Sequence, residues 1–267
     1  MDTLQTVILA LIQGITEFLP ISSSGHLILP AQLFGWTDQG LAFDVAVHLG
    51  TLAAVVIYFW RDLLAIAKDW LGSLVGQGAT VNSRLGWYLI FATLPAVIFG
   101  LILKKMGWDE AMRTVAVLAG TTLIFGALLG WADRKGTLVQ PLEAMTFRQA
   151  MLIGFAQAIA LIPGTSRSGI TMTAALMMGF TRDAAARFSF LLSIPVIVGA
   201  GSLLTLDLIK STEPVNWQTL SLGTVISAVS AWLCVHFFLA IINRIGLMPF
   251  VIYRMILGVV LLGFVFV

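Results

Sequence analysis

Residues 219–242 run without an acid, a lysine or an arginine. At about 1.5 Å per residue, a helix of that length exceeds the roughly 30 Å hydrocarbon core of a bilayer. Five further apolar runs, at about 41–60, 85–103, 114–131, 187–207 and 247–266, also read as full spans. The runs are continuous rather than alternating, so the expected spanning element is the α-helix and not the strand of a barrel. With 59% hydrophobic and 10% charged residues and a mean hydropathy of +0.98, a water-soluble domain is excluded. The chain reads as an all-α polytopic membrane protein, a single membrane domain over 1–267. Its net charge of +2 gives no reason to expect a nucleic-acid partner. Cys234 is the single cysteine, so no disulfide can form within the chain. The start, MDTLQT, lacks the basic region of a cleavable signal, and insertion is expected to rely on the mature helices.

Two apolar segments do not fit a simple span. Residues 4–36 are interrupted by LPISSSG and residues 147–180 by IPGTSRSG. Each arm has about 10 to 17 residues, and the shorter arms rise only about half the membrane thickness. Proline, glycine and serine end one helix and cap the next. Both segments are therefore expected to be re-entrant helical hairpins, with tips buried in protein or facing a wet cavity. Shifting the first segment by 144 residues superposes Gln13 on Gln157, Ile15 on Ile159, Ser22 on Ser166, Ser24 on Ser168, Gly25 on Gly169, Ala31 on Ala175 and Gly35 on Gly179. Those seven identities in 23 positions exceed the roughly two that composition gives. Each half, about 1–135 and 145–267, then reads as one hairpin plus three spans. Three crossings turn the second half over, so two inverted-topology repeats are expected, with hairpins entering from opposite faces and meeting near the midplane.

Loop charges orient the chain. The face holding both termini carries Lys104, Lys105, Arg113 and Lys210, while the other carries Arg61, Lys68, Arg84, Arg134, Lys135, Arg148, Arg182, Arg187 and Arg244. By the positive-inside rule the termini are expected outside the cytoplasm. Trp60, Trp108, Trp131 and Trp217 fall near span ends, where interfacial anchors belong.

An ionised side chain at membrane depth costs about 3 kcal/mol or more, so Glu17 and Arg167 need partners, either each other or a polar ligand. Gln13 and Glu17 lie four apart on one helix face, and Gln157 takes the equivalent place in the second segment. The three could line one pocket, or the glutamines could glue the hairpins into the bundle. PGTSRSG gathers Gly164, Thr165, Ser166 and Ser168 around Arg167, with Thr171 following. Free N–H groups at a helix start, the helix dipole and a planar guanidinium all favour phosphate oxygens. The competing reading is a capped turn with Arg167 reaching toward the interface. In ISSSGH one serine could be a nucleophile and His26 a base or proton donor, against Ser22 and Ser24 as helix caps. Asp44 and His48, i and i+4, either face the cavity or bond each other. His236 reads as packed or interfacial, and Arg254 has no evident partner unless an acid such as Asp44. None of these has the spacing of a zinc site.

Together, QGITEFLPISSSGH near the start and PGTSRSGIT past the middle resemble the signature motifs of the bacterial undecaprenyl-diphosphate phosphatase family, also called the bacitracin-resistance family. The resemblance extends over essentially the whole chain in length, span count and motif placement. It implies a multi-pass enzyme of the bacterial inner membrane that hydrolyses undecaprenyl diphosphate to the monophosphate, recycling the lipid carrier for cell-wall synthesis. A polyprenyl diphosphate is the implied partner, in a pocket opening to the periplasm. By motif position the resemblance assigns Glu17 as the essential acid, Ser23 as the nucleophilic serine, His26 as its neighbouring histidine and Arg167 as the phosphate-binding arginine. Ser166 and Ser168 assist, and Gln13 fills the first place of a glutamate-or-glutamine pattern; Ser24 stands where many members have threonine. Activation of the family by divalent cations implies Mg²⁺ or Ca²⁺ with Glu17 as the metal contact, and one carboxylate requires such an ion to share its ligands with the diphosphate and water. The implied chemistry is in-line attack by Ser23 or by a water that Ser23 positions.

Broken helices meeting at a midplane also build secondary transporters, so carriage of an anionic lipid or small anion is the alternative. The two tips differ in a way that favours hydrolysis, because Glu17 and His26 stand opposite Leu161 and Ile170 at equivalent positions. A homodimer is compatible with the sequence.

Overall fold

The computed structural model describes residues 2–36, 40–112, 114–210 and 216–265. Among these it forms α1 (Thr3–Thr16), α2 (Ser23–Phe34), α3 (Gly40–Tyr58), α4 (Trp60–Leu74), α5 (Val81–Met106), α6 (Trp108–Ala111), α7 (Val115–Lys135), α8 (Phe147–Ile159), α9 (Arg167–Met177), α10 (Arg182–Lys210), α11 (Trp217–Ile245) and α12 (Met248–Val265). A 3-10 turn occupies Leu142–Ala144, and the described residues contain no strand. Six helices, α3, α5, α7, α10, α11 and α12, are long and apolar enough to cross a membrane, at the six places the apolar runs predict. Large apolar side chains such as Ile98, Ile124, Phe237 and Ile256 stay exposed on their outer faces, which suits a hydrocarbon solvent. The chain is a multi-pass helical membrane protein.

Local chemistry sets the two interruptions. α1 opens with a capping box, in which Gln5 N–H donates to Asp2 at 2.7 Å and Asp2 N–H donates to the Gln5 side chain at 3.2 Å. Thr146 and Gln149 start α8 in the same way. After α1 and after α8 the chain leaves the helix, turns through a short elbow, and resumes as α2 and α9. α1 packs on α2, and α8 packs on α9.

Each first arm is pressed against a spanning helix. α1 lies along α11, where a Cβ at Gly14 would fall 2.7 Å from the Ser227 carbonyl oxygen, and α8 lies along α5, where a Cβ at Gly154 would fall 2.7 Å from Ala92 Cα. Small residues permit such backbone approach, the usual basis of helix association in lipid. α3 and α11 run parallel, Thr224 donating to the Ala46 carbonyl and Ser227 facing Gly50. α7 and α12 run antiparallel, with Val251 against Gly130 and Leu123 against Gly258. Buried Asp133 joins three helix ends: its carboxylate accepts from Arg182 at 2.6 Å and from Leu247 N–H at 3.1 Å.

The amphipathic helix α4 was not predicted. Arg61, Asp62, Lys68 and Asp69 interrupt its apolar pattern, yet Ile66 is buried and Trp70 meets Trp87 of α5 edge-on at 5.5 Å. Exposed Leu64 and Leu71 beside those charges give it the composition of a helix lying at a membrane surface. Of the residues used to count loop charge, Arg113 and the side chain of Lys210 lie outside the described residues.

A Gly154→Val substitution is expected to lower stability by about 3 kcal/mol, the upper range for overpacking, because backbone rather than a flexible side chain stands in its way. Thermal or denaturant unfolding in detergent measures the loss.

Candidate active site

The two elbows share an uncommon backbone. Ser22 has φ 76 and ψ 95, and Ser166 has φ 69 and ψ 113. Positive φ in a residue with a Cβ costs about 1–3 kcal/mol and persists only where its surroundings enforce it. Each serine then caps the helix that follows: Gly25 N–H donates to Ser22 Oγ at 3.4 Å, and Gly169 N–H donates to Ser166 Oγ at 3.1 Å. Ser24 and Ser168 lie 3.4 and 3.2 Å from their capping serines. Ser23 and Arg167 thereby occupy the same place, the first residue of α2 and of α9.

Arg254 of α12 enforces this geometry. Fully buried, it donates to the carbonyls of Pro20 (3.2 Å), Gly164 (3.0 Å) and Thr165 (3.0 Å) in the elbows, and to Thr122 (3.2 Å) and Thr121 (3.5 Å) of α7. The pairing with Asp44 considered from sequence is replaced by this carbonyl cage. Backbone acceptors satisfy the guanidinium without a carboxylate, and they leave no trace in sequence. Ser168 adds a direct link, donating to the Leu19 carbonyl at 2.8 Å.

Between the elbows the predicted charges meet. Arg167 Nη2 donates to Glu17 Oε1 at 2.8 Å, with the side chains only 13% and 8% exposed. Glu17 Oε2 accepts from Ser23 Oγ at 2.6 Å and from Gln13 Nε2 at 3.0 Å. Arg167 also lies over the ring of Phe18, which meets Phe190 edge-on at 5.3 Å, so it turns inward rather than toward the interface. Removing one partner of such a buried pair strands a charge at a cost of about 3–5 kcal/mol.

The remaining predicted residues divide. Gln157 and Thr165 are buried, and both amide atoms of Gln157, Thr165 Oγ1, Gln13 Oε1 and Arg167 Nη1 lack a protein hydrogen-bond partner. Such orphans are costly unless water or a ligand satisfies them. Thr171 is turned instead to the Arg167 and Ser168 carbonyls and to Ser189 of α10. His26 directs Nδ1 to the Ser22 carbonyl at 2.6 Å and Nε2 to the Tyr253 hydroxyl at 2.5 Å. The Asp44–His48 pairing considered from sequence is corrected in one detail: His48 Nδ1 bonds the Asp44 backbone carbonyl at 2.7 Å, which aims Nε2 to within 4.0 Å of Glu17. His236 is exposed and stacks on Trp232, also exposed, on the outer face of α11, away from the elbows. Sequence reasoning passed over Tyr253 and undervalued His48, whose approach to Glu17 joins α3 to the end of α1 and has no local spacing to reveal it. A cavity of about 400 Å³ bordered by Asp62, Arg84, Tyr88, Glu143 and Arg187 includes no elbow residue.

For a divalent cation the donor set is sparse. Among the described residues no three His, Cys, Asp or Glu side chains gather, and three of the roughly four acceptor sites of the Glu17 carboxylate are engaged. Hard cations of this size take six or more oxygens. The residues fit one only as a single ligand completed by phosphate oxygens and water.

Residues 6–260 match the family model described as bacitracin resistance protein BacA. The chain belongs to the BacA family. It is similar to the undecaprenyl-diphosphatase of Chromohalobacter salexigens, 62% identical over 265 residues that cover 99% of this chain and 100% of that relative. Proteins of the same name are 57% identical in Alteromonas mediterranea, over 100% of both chains, and 58% identical in Teredinibacter turnerae, over 98% of both.

The elbow backbone yields a test. Ser166→Ala keeps a Cβ at positive φ and loses the cap, and is expected to cost about 1 kcal/mol or more. Ser166→Gly loses the cap but relaxes the backbone, and should cost only a few tenths; unfolding midpoints in detergent rank the two.

Proposed function

We propose that this chain is an integral-membrane undecaprenyl-diphosphatase: it hydrolyses undecaprenyl diphosphate to undecaprenyl phosphate and inorganic phosphate, returning the lipid carrier to cell-wall synthesis. The observation that carries the site assignment is the cluster Ser23–Glu17–Arg167, in which residues 150 positions apart converge on one carboxylate. The headgroup enters between the elbows. Its terminal phosphoryl oxygens take Arg167, including the orphaned Nη1, together with the first N–H groups of α9 and the unpartnered Thr165 hydroxyl, while Ser166 and Ser168, bonded to Gly169 N–H and the Leu19 carbonyl, hold the elbow that presents them. Gln13 and Gln157 line the approach, and Ser22 and Ser24 shape the opposite wall.

Ser23 Oγ attacks the terminal phosphorus. Its O–P bond forms as the bridging P–O bond breaks, undecaprenyl phosphate departs with that electron pair, and the Ser23 proton passes to Glu17, already its acceptor at 2.6 Å. Glu17 passes that proton to the departing undecaprenyl phosphate and is a carboxylate again; it then takes a proton from water as the water oxygen bonds to phosphorus and the Ser23 O–P bond breaks, and returns it to the Ser23 oxygen as inorganic phosphate leaves. The short Ser23–Glu17 bond favours this covalent route over a water merely held by Ser23. Of the two candidates for the proton, His26 and Glu17, it favours Glu17. Glu17, through its free acceptor site, would hold Mg²⁺ or Ca²⁺ together with diphosphate oxygens and water, and such an ion would supply positive charge to the leaving group.

The running directions of the helices support the inverted arrangement: α1 follows α11, α8 follows α5, and the equivalent carbonyls of Pro20 and Gly164 meet at Arg254. On that reading both elbows are re-entrant, the termini lie in the periplasm by loop charge, and the site opens to the same side. Homodimerisation of the chain is compatible with this arrangement. A carrier of anionic lipid would have no use for a serine hydroxyl donating to an acid, which separates the transport reading by experiment.

Phosphate release from polyprenyl diphosphate in detergent is expected to fall at least about a hundredfold in Ser23→Ala, Glu17→Ala and Arg167→Ala; near-normal turnover in all three sinks the assignment. Phosphoserine at Ser23 should be trapped by acid quench. Calorimetry should detect no Mg²⁺ binding to the protein alone and clear binding once methylene bisphosphonate is present, weakened in Glu17→Gln.

A further inference from the structure

We propose that Tyr253 is a positioning residue of the nucleophile-bearing elbow, acting through His26 to hold the Ser22 carbonyl and hence Ser23; the proposal rests on the role given to Ser23 above. Ser22 is a strained residue whose conformation must be enforced from outside. In the second elbow, Arg254 seizes the carbonyls of Gly164 and Thr165, immediately before Ser166. In the first it reaches only Pro20, two residues before Ser22. The first elbow therefore has one carbonyl fewer in the grip of Arg254, that of Ile21, the equivalent of Thr165, and it is held in addition at the carbonyl of Ser22.

Two donors converge there. The His26 backbone N–H lies 3.3 Å from the Ser22 carbonyl oxygen and Nδ1 lies 2.6 Å from it. A carbonyl only accepts, so Nδ1 carries the ring proton. In the neutral imidazole Nε2 is then an acceptor, and the Tyr253 hydroxyl donates to it at 2.5 Å while the two rings stack at 5.6 Å and 13°. Both nitrogens are committed and the tautomer is fixed, the arrangement by which a hydrogen bond on one side of a histidine sets what the other side can do. A ring held in this way braces the chain and has no proton to exchange with Ser23.

The brace is confined to one elbow. The position equivalent to His26 is Ile170, which offers Ser166 only its backbone N–H at 2.9 Å. The elbow with the extra brace is the one whose hydroxyl donates to Glu17. Tyr253 also precedes Arg254, so one step of α12 carries the supports of both elbows.

The chain has three histidines, so ¹⁵N spectra of histidine-labelled protein in nanodiscs resolve His26, with His26→Ala as the assignment control. The wild type is expected to show a protonated Nδ1 and an unprotonated Nε2, and Tyr253→Phe a mixture of tautomers. The same variant should lose about tenfold in kcat with KM within about twofold, the loss one hydrogen bond of ordinary net strength sustains. His26→Asn, whose amide can replace Nδ1 as donor, should keep about a tenth of activity where His26→Ala loses about a hundredfold. A wild-type ring protonated at Nε2, a Tyr253→Phe protein unchanged in both spectrum and kcat, or His26→Asn as inactive as His26→Ala would each overturn the proposal. Ser23→Ala distinguishes the two levels: activity surviving there removes the hydrolytic role of Ser23 and leaves the tautomer result standing.

Discussion

A buried guanidinium with backbone acceptors on every side is the constraint on which the two elbows depend. Arg254 sits where an unpaired charge would cost several kcal/mol, and it is tolerated because five carbonyls converge on it. The bond is reciprocal. The same carbonyls belong to irregular backbone inside a membrane protein, where each unsatisfied group is itself costly. Two of them, Pro20 and Gly164, hold equivalent positions in the two halves, so one side chain fixes the distance between elbows that are otherwise far apart in sequence. That fixed distance lets Glu17 and Arg167 close to 2.8 Å.

The spans, the two interruptions and the meeting of Glu17 with Arg167 were legible in sequence because each reflects a large energy with a simple signature. Apolar length marks a membrane crossing, Pro, Gly and Ser mark a break, and two ionised groups at membrane depth require each other. Arg254 was visible as an anomaly but not as a solution, since its partners are main-chain atoms that any residue supplies. Tyr253 carried no motif and reads as one more aromatic in an apolar helix. His48 was judged beside Asp44 because they are neighbours along α3, whereas the contact that matters crosses to the end of α1. The helix α4 was missed because its charges shorten the apolar run below spanning length while leaving enough amphipathic surface to pack on α5.

Equivalent positions carry unlike chemistry. Ser23 and Arg167 both follow a capping serine at positive φ, and both aim at Glu17, one with a hydroxyl and one with a guanidinium. A shared backbone design thus delivers the proposed nucleophile and the proposed phosphate ligand to a single carboxylate from two directions. Around that common geometry the halves diverge, with Glu17 against Leu161 and His26 against Ile170.

α12 holds both elbows, yet among the six spanning helices it is the least enclosed by the rest of the protein. Ile252, Ile256, Val259 and Val260 look outward into lipid while Arg254 looks inward. A spanning helix answers changes in bilayer thickness by tilting, and no flexible linker separates this one from the groups it steadies. The outward face that meets lipid and the inward guanidinium that joins the two elbows are thus parts of one rigid rod.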